Sequence, residues 1–110
     1  GENRQGIEIK NDQMFKKTGN LFISVARDYG YKEHPSGIYK DQSWLYVIGD
    51  VDCFYIFAVK HLKQVYEVND LPLFNGFKTP KGGTEKGYLL SRKNADKFCI
   101  QKVTSQTKLF

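Results

Sequence analysis

The sequence predicts a small α/β domain built mainly from strands, and three observations carry that expectation. Apolar residues fill 40% of the 110 positions and aromatics 15%, and runs rich in Phe, Tyr, Ile and Val favour extended chain over a helical bundle. Two aromatic-rich runs, 43–48 and 53–59, flank Gly49-Asp50-Val51-Asp52, which is a β-hairpin signal. Leu62, Val65, Tyr66 and Asn69 recur at three- and four-residue spacing and mark one brief amphipathic helix over 61–68. A chain of this length holds one core, so residues 1–110 are expected to form a single domain.

The elements follow in order. Residues 6–10 read as a strand, with Ile7 and Ile9 facing the core and Glu8 and Lys10 on the other side. Residues 11–20 are polar and close on the turn signal Thr18-Gly19-Asn20. The apolar run 21–26, broken only by Ser24, predicts a strand buried on both faces. Residues 27–38 read as a loop ending in His34-Pro35-Ser36-Gly37, and 39–42 as a short polar stretch. Residues 71–83 hold two prolines and three glycines and read as a second loop, made basic by Lys78, Lys81 and the following Lys86. Residues 87–90 predict a strand, Ser91 a cap for a helical turn over 92–96, and 98–103 a last strand before an end, 104–110, expected to fray.

Composition narrows the class of function. No apolar run approaches the roughly 20 residues needed to cross a bilayer, so no membrane partner is expected. There is no signal-peptide pattern, and Gly1 rather than Met at the start suggests an N-terminally truncated fragment. Cys53 and Cys99 stand alone in apolar segments and read as buried free thiols of an intracellular protein, with a disulfide between neighbouring strands as the alternative. The net charge of +5 is uneven: residues 1–59 carry seven basic and eight acidic side chains, and residues 60–110 ten and four. A basic second half suits a polyanionic partner, because each neutralised phosphate releases counterions.

The triplet Glu8-Ile9-Lys10 carries the chemistry. Alternation puts Glu8 and Lys10 on one face of a strand. There Glu8 can offer oxygen to a divalent cation, and Lys10 can hold an attacking water or stabilise charge on phosphorus. Taken alone the triplet is common, and its bland reading is a solvated ion pair.

Order and spacing add weight to the triplet. Ile7-Glu8-Ile9-Lys10-Asn11-Asp12 is followed by Thr18-Gly19-Asn20-Leu21-Phe22-Ile23, Pro35-Ser36-Gly37-Ile38 and Ser43-Trp44-Leu45-Tyr46. Over roughly residues 6–68 this series resembles the PD-(D/E)xK nuclease superfamily, in particular its small phage and prophage members. The resemblance implies a restriction-endonuclease-like mixed sheet with a β-hairpin and one or two short helices. It implies an endonuclease, a hydrolase that binds DNA and cleaves phosphodiesters with Mg²⁺ or Mn²⁺, in the cytoplasm or in the cytoplasm and nucleoid of a host cell. Glu8 matches the metal-binding carboxylate and Lys10 the catalytic lysine. Asp12 is either a second metal-binding or lysine-orienting group or a loop-forming Asp. Ser24 stands where such relatives often carry an acid. The Asp of the motif's first half has no counterpart, since only Glu2 precedes Glu8. A longer parent chain or a second copy could supply the upstream strand, another Asp could substitute in space, or the site could be degenerate.

The residues expected to touch DNA are Tyr39, Lys40 and Ser43, with Lys78, Lys81 and Lys86 as a phosphate-contacting rim; Tyr29, Tyr31 and Lys32 belong to the same aromatic and basic cluster. Packing of the loop over the sheet is the bland reading of these tyrosines. Beside the nuclease, two other functions fit: an inactive DNA-binding or assembly domain on the same scaffold, or an interaction domain using exposed strand edges.

Overall fold

The computed structural model describes residues 6–40 and 43–105, so the predictions for Glu2, for 41–42 and for the tail 106–110 lie outside the described residues. The α/β class holds and a mixed sheet is present, but it is one of two: the described strands form two four-stranded sheets, with three short helices. In the first, β1 (Ile7–Asn11) runs parallel to β4 (Leu45–Gly49), which pairs antiparallel with β5 (Cys53–Ala58), and β5 with β8 (Gln101–Thr104). The second is wholly antiparallel, with β3 (Glu33–Pro35), β2 (Asn20–Asp28), β7 (Thr84–Ser91) and β6 (Phe74–Lys78) in that order.

The expected hairpin is β4–β5. Asp50 closes its turn, with Oδ1 accepting from the amides of Asp52 (2.8 Å) and Cys53 (2.9 Å), an arrangement that Asp favours over most residues. The predicted helix is α2 (Val59–Asn69), which buries Val59 and Leu62, and Ser91 caps α3 (Arg92–Phe98) by accepting from the Asn94 amide at 3.2 Å.

Four elements arise where the sequence reads as loop or turn, one of them a short 3-10 turn over Gly37–Tyr39. α1 (Phe15–Thr18) is a single turn, too short for a periodicity to show, and is held by Phe15, which is fully buried. β3 and β6 are edge strands with every side chain exposed, so neither shows alternation. They exist because β2 and β7 offer them a backbone ladder. β2 itself continues past Ala26 to Asp28 through a bulge between Ser24 and Ala26.

One core joins both sheets. Tyr46, Ile48, Tyr55 and Phe57 come from β4 and β5; Leu21, Ile23, Tyr88 and Leu90 from β2 and β7; Phe15, Leu62 and Ala95 from the three helices. Tyr88 stacks on Tyr66 with ring centres 5.7 Å apart and donates its hydroxyl to the Leu62 carbonyl at 2.8 Å. Cys53 and Cys99 are half-buried and free rather than joined in a disulfide. No helix among the described residues is long and apolar enough to cross a membrane.

Candidate functional site

Strand alternation places Glu8 and Lys10 on one side of β1, and Lys10 Nζ meets Glu8 Oε2 at 2.9 Å. The direction of that side corrects the sequence reading. Ile9, expected to anchor the core, is 54% exposed, whereas Glu8 is only 7% exposed. The cause is register: Glu8 lies beside Tyr46 on β4, and Tyr46 beside Phe57 on β5, both core residues. In-register neighbours share a face, so Glu8 points with them into the interior. Lys10 follows at the rim with its side chain 43% exposed. Interior acid and accessible ammonium therefore sit side by side.

Asp12 binds backbone amides with both carboxylate oxygens. Its Oδ1 accepts from Met14 N at 3.1 Å and its Oδ2 from Phe22 N at 2.8 Å, while its own amide donates to Gly49 O at 2.8 Å. This clamp ties the end of β1 to both sheets.

Sequence reasoning missed a second acid. Glu85, on β7, is 3% exposed. Its Oε1 accepts the Ser36 hydroxyl and its Oε2 the Arg27 Nε at 2.9 Å. In the sequence Thr84-Glu85-Lys86 looks like a solvated strand end; only pairing with β2, which sets Glu85 opposite Arg27, reveals the burial. Tyr46 is the second residue whose setting was unexpected. Its hydroxyl is buried and has no hydrogen-bond partner among the described residues. Burial first, then the charges of Glu8 and Glu85, then Tyr88 and Asp12, push its ionisation well above the usual phenol range.

The residues proposed for DNA contact fall into two groups. Tyr39 is committed to packing: it donates to the Glu67 carboxylate, lies edge-on to Tyr66 at 6.2 Å and has the Lys63 ammonium over its ring at 5.1 Å. Lys86 is likewise engaged, at 3.4 Å from Asp28 and 4.0 Å from Glu33, so it holds β7 to the β2–β3 hairpin and is not a free rim charge. Lys40 is exposed and Ser43 half-buried beside Trp44, itself 62% exposed.

Lys78 and Lys81, by contrast, project from the β6–β7 hairpin. That hairpin's turn adjoins Tyr29, since an added Cβ on Gly83 would lie 3.0 Å from the Tyr29 ring. Tyr31, with Lys32 over its ring at 5.8 Å, neighbours Tyr29 at 6.4 Å. Pairing of Asp28 with Thr84 thus gathers Tyr29, Tyr31, Lys32, Lys78 and Lys81 at one end of the second sheet. A shallow cavity of about 370 Å³ opens beside β3, lined by Val25, Glu33, His34, Pro35 and Tyr39; Glu8 and Lys10 are not in its lining.

Among the described residues no group of three or more His, Cys, Asp or Glu side chains is close enough to hold a metal ion. Comparison of the chain with protein-family models, with curated proteins and with solved structures finds no match.

Proposed function

We propose that the chain is a restriction-endonuclease-like domain that hydrolyses DNA phosphodiesters with a divalent cation, with Glu8 and Lys10 as its central pair. The observation that carries this reading is the 2.9 Å contact between an interior carboxylate and a half-exposed ammonium on one face of β1. Glu8, nearly sealed from solvent, offers a hard oxygen ligand where water competes poorly. A bound cation would polarise the phosphate and raise the acidity of a coordinated water.

The remaining steps belong to side chains. Lys10, tethered at its base by β1 and reaching solvent at its tip, swings from Glu8 to the attacking water, orients it and stabilises charge developing on phosphorus. Tyr29, Tyr31, Lys32, Lys78 and Lys81 offer stacking faces and charge to the nucleic-acid backbone.

Incubation of duplex DNA with the protein in Mg²⁺ or Mn²⁺ tests the reading. Cleavage should occur and should fall by roughly a hundredfold or more in Lys10→Ala. Cleavage that Lys10→Ala leaves intact would refute the assigned role. The Glu8–Lys10 contact also fits a second reading, a structural ion pair in a non-catalytic DNA-binding or assembly domain. Salt-dependent DNA binding without cleavage in either metal would establish that one.

A further inference from the structure

The second sheet has one face in the core and one in solvent. Along β7, Tyr88 and Leu90 are buried, whereas Leu89 between them is 44% exposed. Register carries that outer face across the sheet. Phe22 of β2 lies opposite Leu89, and Phe74 of β6 lies opposite Gly87, two residues before Leu89 on the same side of β7. Phe74 is 47% and Phe77 57% exposed, and the Phe77 ring meets Phe22 edge-on at 6.3 Å. Single exposed apolar side chains are ordinary, but a group of them on one sheet face marks a binding surface.

Two glycines show that the central ring is seated. A Cβ on Gly76 would lie 2.4 Å from Phe22 Cζ, and one on Gly87 would lie 2.9 Å from the same atom and 2.2 Å from Ile23 O. Glycine weakens a strand interior and marks the close approach of another group. Here β6 and β7 each forgo a side chain, and the Phe22 ring occupies the space. A ring already held in place loses little freedom when a ligand lies on it.

Charge selects the occupant. Residues 71–84 include Lys78 and Lys81 and no acid. Neither lysine is in an ion pair among the described residues. Glu85, which follows, is buried against Arg27 and Ser36 and turns no charge outward. Open aromatic rings beside unpaired cations fit a polyanion that itself carries planar rings, which is single-stranded nucleic acid. A duplex keeps its bases stacked on one another and out of reach of the phenylalanines. A second copy of the chain fits less well along β6, because Lys78 and the irregular register between Asn75 and Lys78 are devices that keep a strand edge from pairing.

We propose that the outer face of the second sheet binds single-stranded nucleic acid, with bases stacked on Phe22, Phe74 and Phe77 and phosphates held by Lys78 and Lys81. This face shares its two lysines with the function proposed above but needs neither Glu8 nor Lys10, which belong to the other sheet. Every base has a π-face, so such a surface holds a strand without reading its sequence.

Fluorescence anisotropy of labelled oligothymidylate and oligouridylate, each of roughly 15 nucleotides, tests the assignment in a chelator that prevents metal-dependent cleavage. Wild type is compared with Phe77→Ala, Phe77→Leu, Phe77→Tyr and Phe74→Ala, and Val68→Ala, an exposed apolar position on α2, is the control. Phe77→Ala and Phe77→Leu should each weaken single-strand binding roughly tenfold, since Leu keeps the apolar contact but loses the plane. Phe77→Tyr keeps the plane and should stay within about twofold of wild type, and Val68→Ala should bind like wild type. Phe74→Ala should also weaken binding, and it decides the matter if Phe77→Ala disturbs β6. The tighter of the two oligonucleotides identifies the sugar, and binding of a duplex should be weaker and indifferent to Phe77.

No binding by wild type at micromolar protein, binding by Phe77→Leu equal to wild type, or equal losses for single strand and duplex overturns the assignment. So does a dimer in sedimentation velocity that Phe77→Ala dissociates, because the face would then be an interface between copies. Single-strand binding lost in Phe77→Ala by a protein that cleaves nothing in Mg²⁺ or Mn²⁺ keeps the stacking face and removes the nuclease. Metal-dependent cleavage with single-strand binding unchanged in both Phe77→Ala and Phe74→Ala keeps the nuclease and removes the stacking face.

Discussion

Tyr46→Phe and Tyr88→Phe make the same chemical change in the same core and should have opposite effects on stability. Both side chains are 1% exposed. Tyr88 donates to the Leu62 carbonyl at 2.8 Å, whereas Tyr46 Oη has no partner among the described residues. A net hydrogen bond is worth about 1 kcal/mol, and a buried polar group left unsatisfied costs about 1–3 kcal/mol. Removing one oxygen opens a void worth only a few tenths of a kcal/mol, at ~24 cal/mol per Å³. Tyr88→Phe should therefore destabilise by about 1 kcal/mol, and Tyr46→Phe should stabilise by about 1 kcal/mol. For a chain of 110 residues, unfolding entropy of about 2.1 cal/mol/K per residue makes 1 kcal/mol worth about 4 °C. The two variants should thus separate by about 8 °C in thermal unfolding followed by circular dichroism. A Tyr46→Phe midpoint that falls alongside that of Tyr88→Phe would refute the reasoning, because the hydroxyl would then have a partner in the folded protein.

Burial, ahead of any other cause, raises the ionisation of Tyr46, Tyr55 and Tyr88, and also of Tyr39, where Glu67 adds to it. The unfolded chain releases these protons near pH ~10 and the folded chain only later, so stability is intact below that pH and declines as pH rises above it. Phenolate absorbance of these residues should appear together with loss of the native circular dichroism; all seven tyrosines ionising in a native fold would contradict this. Gly37 has φ +55° and an added Cβ there would lie 2.1 Å from Ser24 O, whereas Gly30 has φ +92° with open space around it. Gly37→Ala should lower stability by about 2 kcal/mol or more and Gly30→Ala by about 1 kcal/mol, read by urea denaturation; equal losses would show that the contact with Ser24 is unimportant. Replacing Lys78 and Lys81 together by Glu should weaken DNA binding and reduce its salt slope by about 2, while Lys86→Glu should act mainly on stability; an unchanged slope in the double variant would remove the β6–β7 hairpin from the interface.

Those contrasts reflect how unevenly the sequence exposes its own structure. Local chemistry announced the β4–β5 hairpin, because Gly49-Asp50-Val51-Asp52 supplies turn residues between two aromatic-rich runs. It announced α2 through its apolar stripe and α3 through the Ser91 cap. The pairing of Glu8 with Lys10 was equally legible, since alternation along a strand needs no tertiary partner.

What the fold alone decided was which side of β1 is inside. Period-two alternation separates two faces without saying which one meets the core, and Ile9 looks the better candidate until Tyr46 and Phe57 line up beside Glu8. The same holds for β3 and β6, which borrow their hydrogen bonds from β2 and β7, and for Glu85, whose burial depends on Arg27 and Ser36 arriving from distant positions. Sequence determined the local geometry and the pair of groups on β1, because those follow from neighbouring residues. The tertiary structure decided orientation and the burial of Glu8, Tyr46 and Glu85, because burial belongs to surfaces that come together only when both sheets close on one core.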